Sequence, residues 1–306
     1  MLYPLLAVVV GALTAVQSRL NGQLSKDIHN GLAAAIISFG SGWIVLFILC
    51  FGIKVERQGL RNIWKAVNSG RLKRWEIIGG MGGGFFVATQ SITVPKLGVA
   101  IFTIATVGGQ TVASLLVDKL GIGPAGKKQV TVPRIFAAVM TLFAVTIAVF
   151  PDLAHATFSA LAVGMTLIVG IVISFQQALN GRVNVVATRP LATAFLNFLM
   201  GTFVLAIALA INLGNGGSIG HLPTTAWLYL GGPIGVIFIA TSAYVVKHMG
   251  ILNFVLSSVT GQLIGALALD WLAPAAHTKV SSYLVTGVVM TLGSILISRY
   301  FERRKA

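Results

Sequence analysis

Long apolar stretches separated by short polar segments dominate the chain. A helix of about 20 apolar residues crosses the hydrocarbon core of a bilayer. The alternation of apolar and polar positions typical of an outer-membrane β-barrel is not seen in these stretches. The pattern therefore predicts an all-α integral membrane protein with ten transmembrane helices. They are expected at residues 3–20, 32–51, 77–94, 99–117, 135–150, 161–179, 191–211, 227–246, 251–271 and 283–297.

Two short phrases recur about half a chain apart, which indicates an internal repeat. QSRLNGQL at residues 17–24 returns as QQALNGRV at residues 176–183. WEIIGGMGGGFFVAT at residues 75–89 returns as WLYLGGPIGVIFIAT at residues 227–241. The offset between this second pair of phrases also matches three further pairs of residues: Gly109 and Gly261, Gln110 and Gln262, and Asp118 and Asp270.

Each copy of the repeat carries five predicted spans, the first in residues 1–151 and the second in residues 152–306. Because five is an odd number, the second copy must enter the membrane from the opposite side. Inverted repeats of this kind occur in transporters whose substrate site lies between the halves and whose halves alternate access to it. The alternative is a duplication that serves stability alone.

The five-span halves, the Gln-x-x-Leu-Asn-Gly phrase and the Gly-Gln pair of the fourth span resemble the YdcZ-like branch of the drug/metabolite transporter superfamily, here as a fused pair of halves. The resemblance covers nearly the whole chain. It implies secondary transport, and more specifically export, of a small molecule across the inner membrane. It implies no particular substrate, and because both halves are fused a monomer is expected to suffice.

Composition and charge agree with a membrane protein and suggest its orientation. The 306 residues are 56% hydrophobic and only 9% charged, whereas soluble domains carry about 25% charged residues. The formal net charge is +15, and most basic residues fall in the loops that ten spans and a cytoplasmic N-terminus would leave inside. Both termini are therefore predicted to be cytoplasmic. The basic loops are expected to face anionic membrane lipids, and no nucleic-acid partner is expected.

Four polar residues are predicted near the middle of the fourth and ninth spans: Thr106, Gln110, Ser258 and Gln262. Both glutamines lie 11 residues from the start of their spans, which is roughly 16 Å along a helix. Polar side chains at this depth usually face a protein interior or a water-filled cavity. Two interpretations remain open, namely a cavity lining for substrate and interhelical hydrogen bonds.

The repeated phrase supplies four further candidates: Gln17, Asn21, Gln176 and Asn180. In each copy the glutamine and the asparagine are four residues apart, so that they share one helix face. The glutamines are predicted to line the cavity. The following glycines, Gly22 and Gly181, are predicted to end or bend their helices, since Asn-Gly is a frequent helix terminator.

No acidic residue lies in the middle of a predicted span, which argues against carboxylate-centred proton antiport. Asp118 and Asp270 are expected at the membrane interface, and Arg19 is expected to extend toward it. The sequence contains no phosphate-binding loop, nucleophile motif or His/Cys cluster, so no cofactor, metal or enzymatic activity is expected. Two rival functions are a flippase for an anionic lipid or lipid-linked headgroup and a membrane-embedded enzyme.

Overall fold

The computed structural model describes residues 2–124, 126–127, 129–151, 159–249, 251–273 and 280–303. Within these ranges the chain is helical apart from short connections. Two 3-10 helices, at Arg74–Gly79 and Ala226–Leu230, each precede a glycine-rich α-helix. The α-helices are α1 (Leu2–Asp27), α2 (Gly31–Gly52), α3 (Lys54–Asn68), α4 (Gly80–Leu120), α5 (Val132–Val149), α6 (Ala160–Ala187), α7 (Pro190–Gly214), α8 (Gly231–Met249), α9 (Ile251–Leu272) and α10 (Ser282–Arg303).

The outer surface of this bundle is apolar, as expected for helices that face lipid. Large side chains such as Ile48, Val139, Phe143 and Ile168 are more than half exposed. Six helical segments in the described residues are long and apolar enough to cross a membrane. This is the all-α membrane architecture that the hydropathy pattern predicts, and the number of ten spans remains a prediction.

Helix α4 reverses direction at Gly98 and so consists of two arms, residues 80–97 (α4a) and 99–120 (α4b). Gly98 has φ 77° and ψ 168°, a conformation that side chains other than glycine rarely adopt. The ring centroids of Phe86 and Phe102 lie 5.6 Å apart, although 16 residues of straight helix would extend about 24 Å. The arms therefore correspond to the third and fourth predicted spans.

Asp270 of α9 caps the start of α4b, where the sequence offers no local capping side chain. Its two carboxylate oxygens accept hydrogen bonds from the backbone N–H groups of Val99 (3.0 Å) and Ala100 (2.7 Å). The first N–H groups of a helix lack partners within the helix and carry a partial positive charge. A carboxylate both accepts their hydrogen bonds and compensates that charge. Asp270 is only 3% exposed and is therefore buried within the protein, while its position at the level of the membrane interface stays a prediction. Arg19, half-buried in α1, attracts it electrostatically.

The prediction that the Asn-Gly pairs end their helices is wrong. Helix α1 continues through Gly22 to Asp27, and α6 continues through Gly181 to Ala187. At Gly22 the reason is close packing, because an added Cβ would lie 2.8 Å from the Val94 side chain. The glycine thus allows α1 to approach α4a.

The contacts along α4a show that α1 and α6 run in opposite directions. Gly79, just before α4a, faces Leu179 near the end of α6, whereas Thr93 near the end of α4a meets Thr166 near the start of α6. Helix α1 runs parallel to α4a, since Gln90 bonds to Ser18 and Val94 contacts Gly22. Opposed first helices are the relation that an inverted repeat requires. The division between residues 151 and 152 remains a proposal, and residues 152–158 lie outside the described residues.

The two halves exchange packing partners through matched glycines. In the first half, a Cβ on Gly109 of α4b would lie 2.1 Å from the backbone oxygen of Leu167 in α6. In the second half, a Cβ on Gly261 of α9 would lie 1.9 Å from the backbone oxygen of Val8 in α1. Small residues permit this backbone contact between membrane helices. Each half therefore packs its fourth span on the first helix of the other half.

Helices α2 and α7 meet at the centre of the molecule through another matched pair. Phe39 and Phe198 are separated by the same 159 positions as the Asn-Gly phrases, and their rings stack with centroids 4.6 Å apart. Each ring lies over the glycine of the opposite helix, Phe198 over Gly42 and Phe39 over Gly201. The contact between the halves is thus nearly symmetric at this point.

Helix α3 was not among the predicted spans and has a different character from the other helices. It carries polar residues on one side and packs Gly59, Ile63 and Ala66 against the protein on the other. Gly59 contacts Arg189 and Ala192 at the start of α7. Only Ile53 separates α3 from the end of α2, so α3 continues directly from a candidate membrane span.

Candidate substrate site

Three amide side chains converge between α6 and α7, and we call this group the α6 cluster (Gln176, Asn180, Asn197). Gln176 Nε2 donates to Asn197 Oδ1 at 2.7 Å, and Asn180 Nδ2 donates to the same oxygen at 3.0 Å. Gln176 and Asn197 are buried, while Asn180 is half-buried. The four-residue spacing of Gln176 and Asn180 directs both toward one acceptor.

A second polar group joins α1 to α4a, and we call it the α1 cluster (Ser18, Asn21, Gln90). Asn21 Nδ2 donates to Gln90 Oε1 at 2.7 Å, and Gln90 Nε2 donates to Ser18 Oγ at 2.6 Å. All three side chains are at most 4% exposed. Among the described residues, Asn21 Oδ1 has no hydrogen-bond partner. It faces Gly231, where an added Cβ would approach it to 2.2 Å.

The two clusters occupy matched positions of the repeat but differ in their contacts. Asn21 and Asn180 are related by 159 positions, as are Ser38 and Asn197. Asn180 bonds to Asn197 within the second half, whereas Asn21 bonds to Gln90 of α4a. All three residues of the α1 cluster are buried, and we call it sealed; in the α6 cluster Asn180 is half-buried, and we call it partly open.

Gln17 and its matched residue Gln176 have corresponding surroundings in the two halves. Gln17 is buried, and its amide nitrogen lies 3.2 Å from the position of a Cβ on Gly235 of α8. Correspondingly, the amide nitrogen of Gln176 lies 2.7 Å from the position of a Cβ on Gly83 of α4a. Both glutamines thus face the glycine-rich beginning of a helix from the other half.

The remaining four candidates lie where α4b crosses α6 and where α9 crosses α1. Thr106 and Ser258 are buried, and among the described residues their hydroxyl groups have no hydrogen-bond partner. Gln110 and Gln262 are half-buried. The backbone oxygen of Gln110 accepts a hydrogen bond from Ser174 of α6 at 2.8 Å. These residues do not belong to either amide cluster.

An ion pair lies beside the α6 cluster and involves Arg182, two residues after Asn180 on α6. Arg182 Nε is 2.8 Å from Glu76 Oε1, and Glu76 Oε2 accepts a hydrogen bond from the backbone N–H of Lys73 at 2.7 Å. The Glu76 side chain is fully buried, and that of Arg182 is 37% exposed. The buried carboxylate is therefore paired and hydrogen-bonded, which offsets its desolvation.

Sequence reasoning missed the residues that complete both clusters: Ser18, Gln90 and Asn197. Asn197 could have been found, because it stands in the apolar run of the seventh predicted span and polar residues there are rare. Gln90 lies in the third predicted span, and the same criterion applies. Nothing in the sequence indicates that these residues meet Gln176 and Asn21.

A groove of about 570 Å³ between α5 and α10 is separate from the clusters. Its lining includes Phe143, Phe150 and Tyr283, and none of the eight predicted site residues borders it. The rings of Phe150 and Tyr283 stack at its edge with centroids 5.8 Å apart. The groove is an apolar feature of the outer surface.

Comparison with known proteins gives a family and a fold. Residues 2–147 and 161–297 match a family model, DMT_YdcZ, described as "Putative inner membrane exporter, YdcZ". A solved structure described as "Crystal structure of protein" has 17% sequence identity and a TM-score of 0.57, over 99% of this chain and 97% of that one. At this identity the likeness concerns the fold alone. The comparison with curated proteins gave no match. Since the family model spans nearly the whole chain in two segments, this protein belongs to the YdcZ family of membrane exporters, as the sequence resemblance predicted.

Proposed function

We propose that the protein exports a small polar solute across the inner membrane by alternating access between its two halves. The transporter class and the multi-pass membrane location follow from the family. The family description gives no support to the flippase alternative, and it favours a transporter over an enzyme. The observation that supports alternation is the difference between the sealed α1 cluster and the partly open α6 cluster.

The chemistry of the α6 cluster favours a solute with both hydrogen-bond donors and acceptors. Neutral amides supply both kinds of group and, unlike carboxylates, do not exchange protons near neutral pH. The half-buried Asn180 gives access to the cluster. The solute is therefore proposed to be polar and to bind without a mid-span carboxylate.

Matched residues of the two halves have different partners, which is what two conformations of one repeat would produce. Gln90 joins α4a to α1, whereas Ser242 at the matching position of α8 donates to the backbone oxygen of Phe238 in its own helix. Asp270 joins α9 to α4b, whereas its match Asp118 pairs with Arg134 at 2.6 Å. In the proposed second state, α6 would close on α8 while α1 separates from α4a.

The predicted topology indicates toward which side of the membrane each cluster lies. With a cytoplasmic N-terminus, Asn21 lies toward the external end of α1, and Asn180 lies toward the cytoplasmic end of α6. The structure would then represent the state that is closed to the outside. An exporter loads its substrate from the cytoplasm, and this state suits that step.

The solute site is tested with a thermal-shift screen of polar solutes on the purified protein, comparing wild type with Gln176→Leu. The matched control is Gln23→Leu, which removes a glutamine of α1 whose amide donates to Asp27 one turn along the same helix. Losing a buried polar contact costs about 1–3 kcal/mol, so solute affinity should fall roughly ten- to hundredfold in Gln176→Leu. Equal affinities in the two variants would remove the α6 cluster from the binding site.

Alternation is tested by joining α1 to α4a in the purified protein, which is reconstituted into proteoliposomes for the measurement of solute flux. In a Cys50→Ser background, Ser18→Cys with Gln90→Cys is treated with a short bifunctional thiol reagent. Gln177→Cys with Ser242→Cys, at the matching positions, serves for comparison. The first cross-link should stop solute flux and leave binding intact. Unchanged flux through the cross-linked protein would contradict alternating access at this contact.

A further inference from the structure

Helix α3 is held against the protein in one fixed orientation. Gly59, Ile63 and Ala66, spaced four and three residues apart, form its buried face. A Cβ on Gly59 would lie 2.7 Å from the side chains of Arg189 and Ala192. The opposite face therefore points away from the protein.

That opposite face combines basic side chains with an exposed tryptophan. Arg57, Arg61 and Trp64 are spaced four and three residues apart, and so share one side of the helix. Trp64 is 68% exposed, and Lys54, Arg61 and Lys65 are exposed as well. Further basic residues follow in the chain after the end of α3. We call the whole set the α3 basic surface: Lys54, Arg57, Arg61, Trp64, Lys65, Arg71, Lys73, Arg74 and Trp75.

The connections of α3 fix this surface at the level of the lipid headgroups. At its N-terminal end, one extended residue, Ile53, links it to the last turn of α2. At its C-terminal end, the chain enters the 3-10 helix Arg74–Gly79, which leads directly into α4. Because both neighbours are candidate membrane spans, the basic side chains lie within a few residues of the bilayer.

The exposed side chains at this position have the composition that suits an interface. Trp75 is 48% exposed and Ile53 is 44% exposed. Tryptophan is enriched at membrane interfaces because its ring has an apolar body and a polar N–H group. The nearby acidic residues do not neutralise the surface, since Glu56 is a single half-buried charge and Glu76 is buried in its pair with Arg182.

We propose that the α3 basic surface binds the anionic headgroups of phospholipids in the surrounding membrane. Each basic residue near an anionic bilayer surface contributes about 1 kcal/mol of attraction, and Trp64 would insert among the headgroups beside Arg61. Arg57 is half-buried and donates a hydrogen bond to the backbone oxygen of Phe51. The headgroup layer is favoured over a soluble acidic partner because the chain connections hold the surface against the bilayer. The proposal does not depend on the identity of the exported solute.

The test titrates phosphatidylglycerol into the purified full-length protein in detergent and follows the melting temperature. Arg61→Gln with Lys65→Gln removes two charges from the α3 basic surface. Lys119→Gln with Lys127→Gln removes two exposed charges outside the α3 basic surface, one in the last turn of α4 and one in the segment after it, and is the matched control. The first pair should weaken the apparent affinity for phosphatidylglycerol roughly tenfold or more, and the control should weaken it much less.

A second readout locates the lipid at the tryptophan. Phosphatidylglycerol should shift the tryptophan emission to shorter wavelength, and Trp64→Phe should lose much of this shift. Trp227→Phe removes a tryptophan of similar exposure, 64%, in a different part of the chain. This variant should retain the emission shift. Equal lipid responses in the two charge variants, or a response equal to that with phosphatidylcholine, would overturn the proposal. An acidic soluble protein that binds the surface in place of lipid would overturn it too.

Discussion

Asp270 is a residue whose role depends on where its two oxygens lie. Both oxygens accept hydrogen bonds from backbone N–H groups at the start of α4b, so the Asp270 side chain connects α9 to the reversal at Gly98. Its match Asp118 instead forms an ion pair with Arg134, in which the two side chains are 27% and 14% exposed. A buried charged cap and a partly exposed ion pair differ in what they contribute to stability.

We expect Asp270→Ala to destabilise the protein far more than Asp118→Ala. Hydrogen bonds to a charged group contribute about 1.5–3 kcal/mol each, whereas ion pairs near a surface contribute about 0–1 kcal/mol. Thermal melts of both variants in the same detergent measure the difference. Asp270→Asn, which keeps one acceptor oxygen, should fall between wild type and Asp270→Ala. Similar melting temperatures for the two alanine variants would contradict the capping role.

At the scale of the element, matched glycines determine how closely the helices approach. Gly170 of α6 lies against α4b, and an added Cβ would be 2.2 Å from the backbone oxygen of Thr106. Gly164 is six residues earlier on the same helix, and an added Cβ there would meet no described atom within 4 Å. The same residue type therefore serves packing at one position and leaves open space at the other.

Replacing these two glycines with alanine should have opposite effects. Gly170→Ala forces α6 away from α4b, because a backbone oxygen cannot move aside as a flexible side chain can, and the melting temperature should drop strongly. Gly164→Ala should be neutral or slightly stabilising, since alanine favours helix by about 1 kcal/mol over glycine. The two variants are compared by the amount of folded protein that is obtained and by its melting temperature. A tolerated Gly170→Ala would show that the helices can separate at little cost.

Several elements could be predicted from the sequence because their signal is local. The spans follow from hydropathy, and the repeat follows from phrases such as QSRLNGQL. The Asn-Gly phrases were misread because a glycine can end a helix or allow close packing, and only the neighbour Val94 decides between the two. The pairing of Gln90 with Asn21 could not be predicted, since residues 69 positions apart meet only through tertiary packing. Whether the eight candidate residues bind solute stays a prediction.

At the scale of the whole molecule, the proposed topology places α3 and both termini on one side of the membrane. Residues 304–306 lie outside the described residues, and so do Lys128 and Lys279, two of the basic residues behind this prediction. The orientation therefore rests on the charge pattern. The exposed residues Asn68, at the end of α3, and Asn215, just after α7, should lie on opposite sides.

Cysteine labelling tests this topology directly. In the Cys50→Ser background, a membrane-impermeant maleimide applied to intact cells should label Asn215→Cys and spare Asn68→Cys. Inverted membrane vesicles should give the reverse result. External labelling at position 68 would contradict the proposed orientation and reverse the direction assigned to the sealed α1 cluster.

The exchange of packing partners between the halves also affects how the protein is made. Helix α1 packs through Val8 on Gly261 of α9, a residue that the ribosome adds about 250 codons later. At about 5–20 residues per second, α1 would wait on the order of 10–50 s for this contact. During that time its glycine face must be shielded by the insertion machinery or by lipid. Final assembly of the first half is therefore a late step, completed only after α9 has entered the membrane.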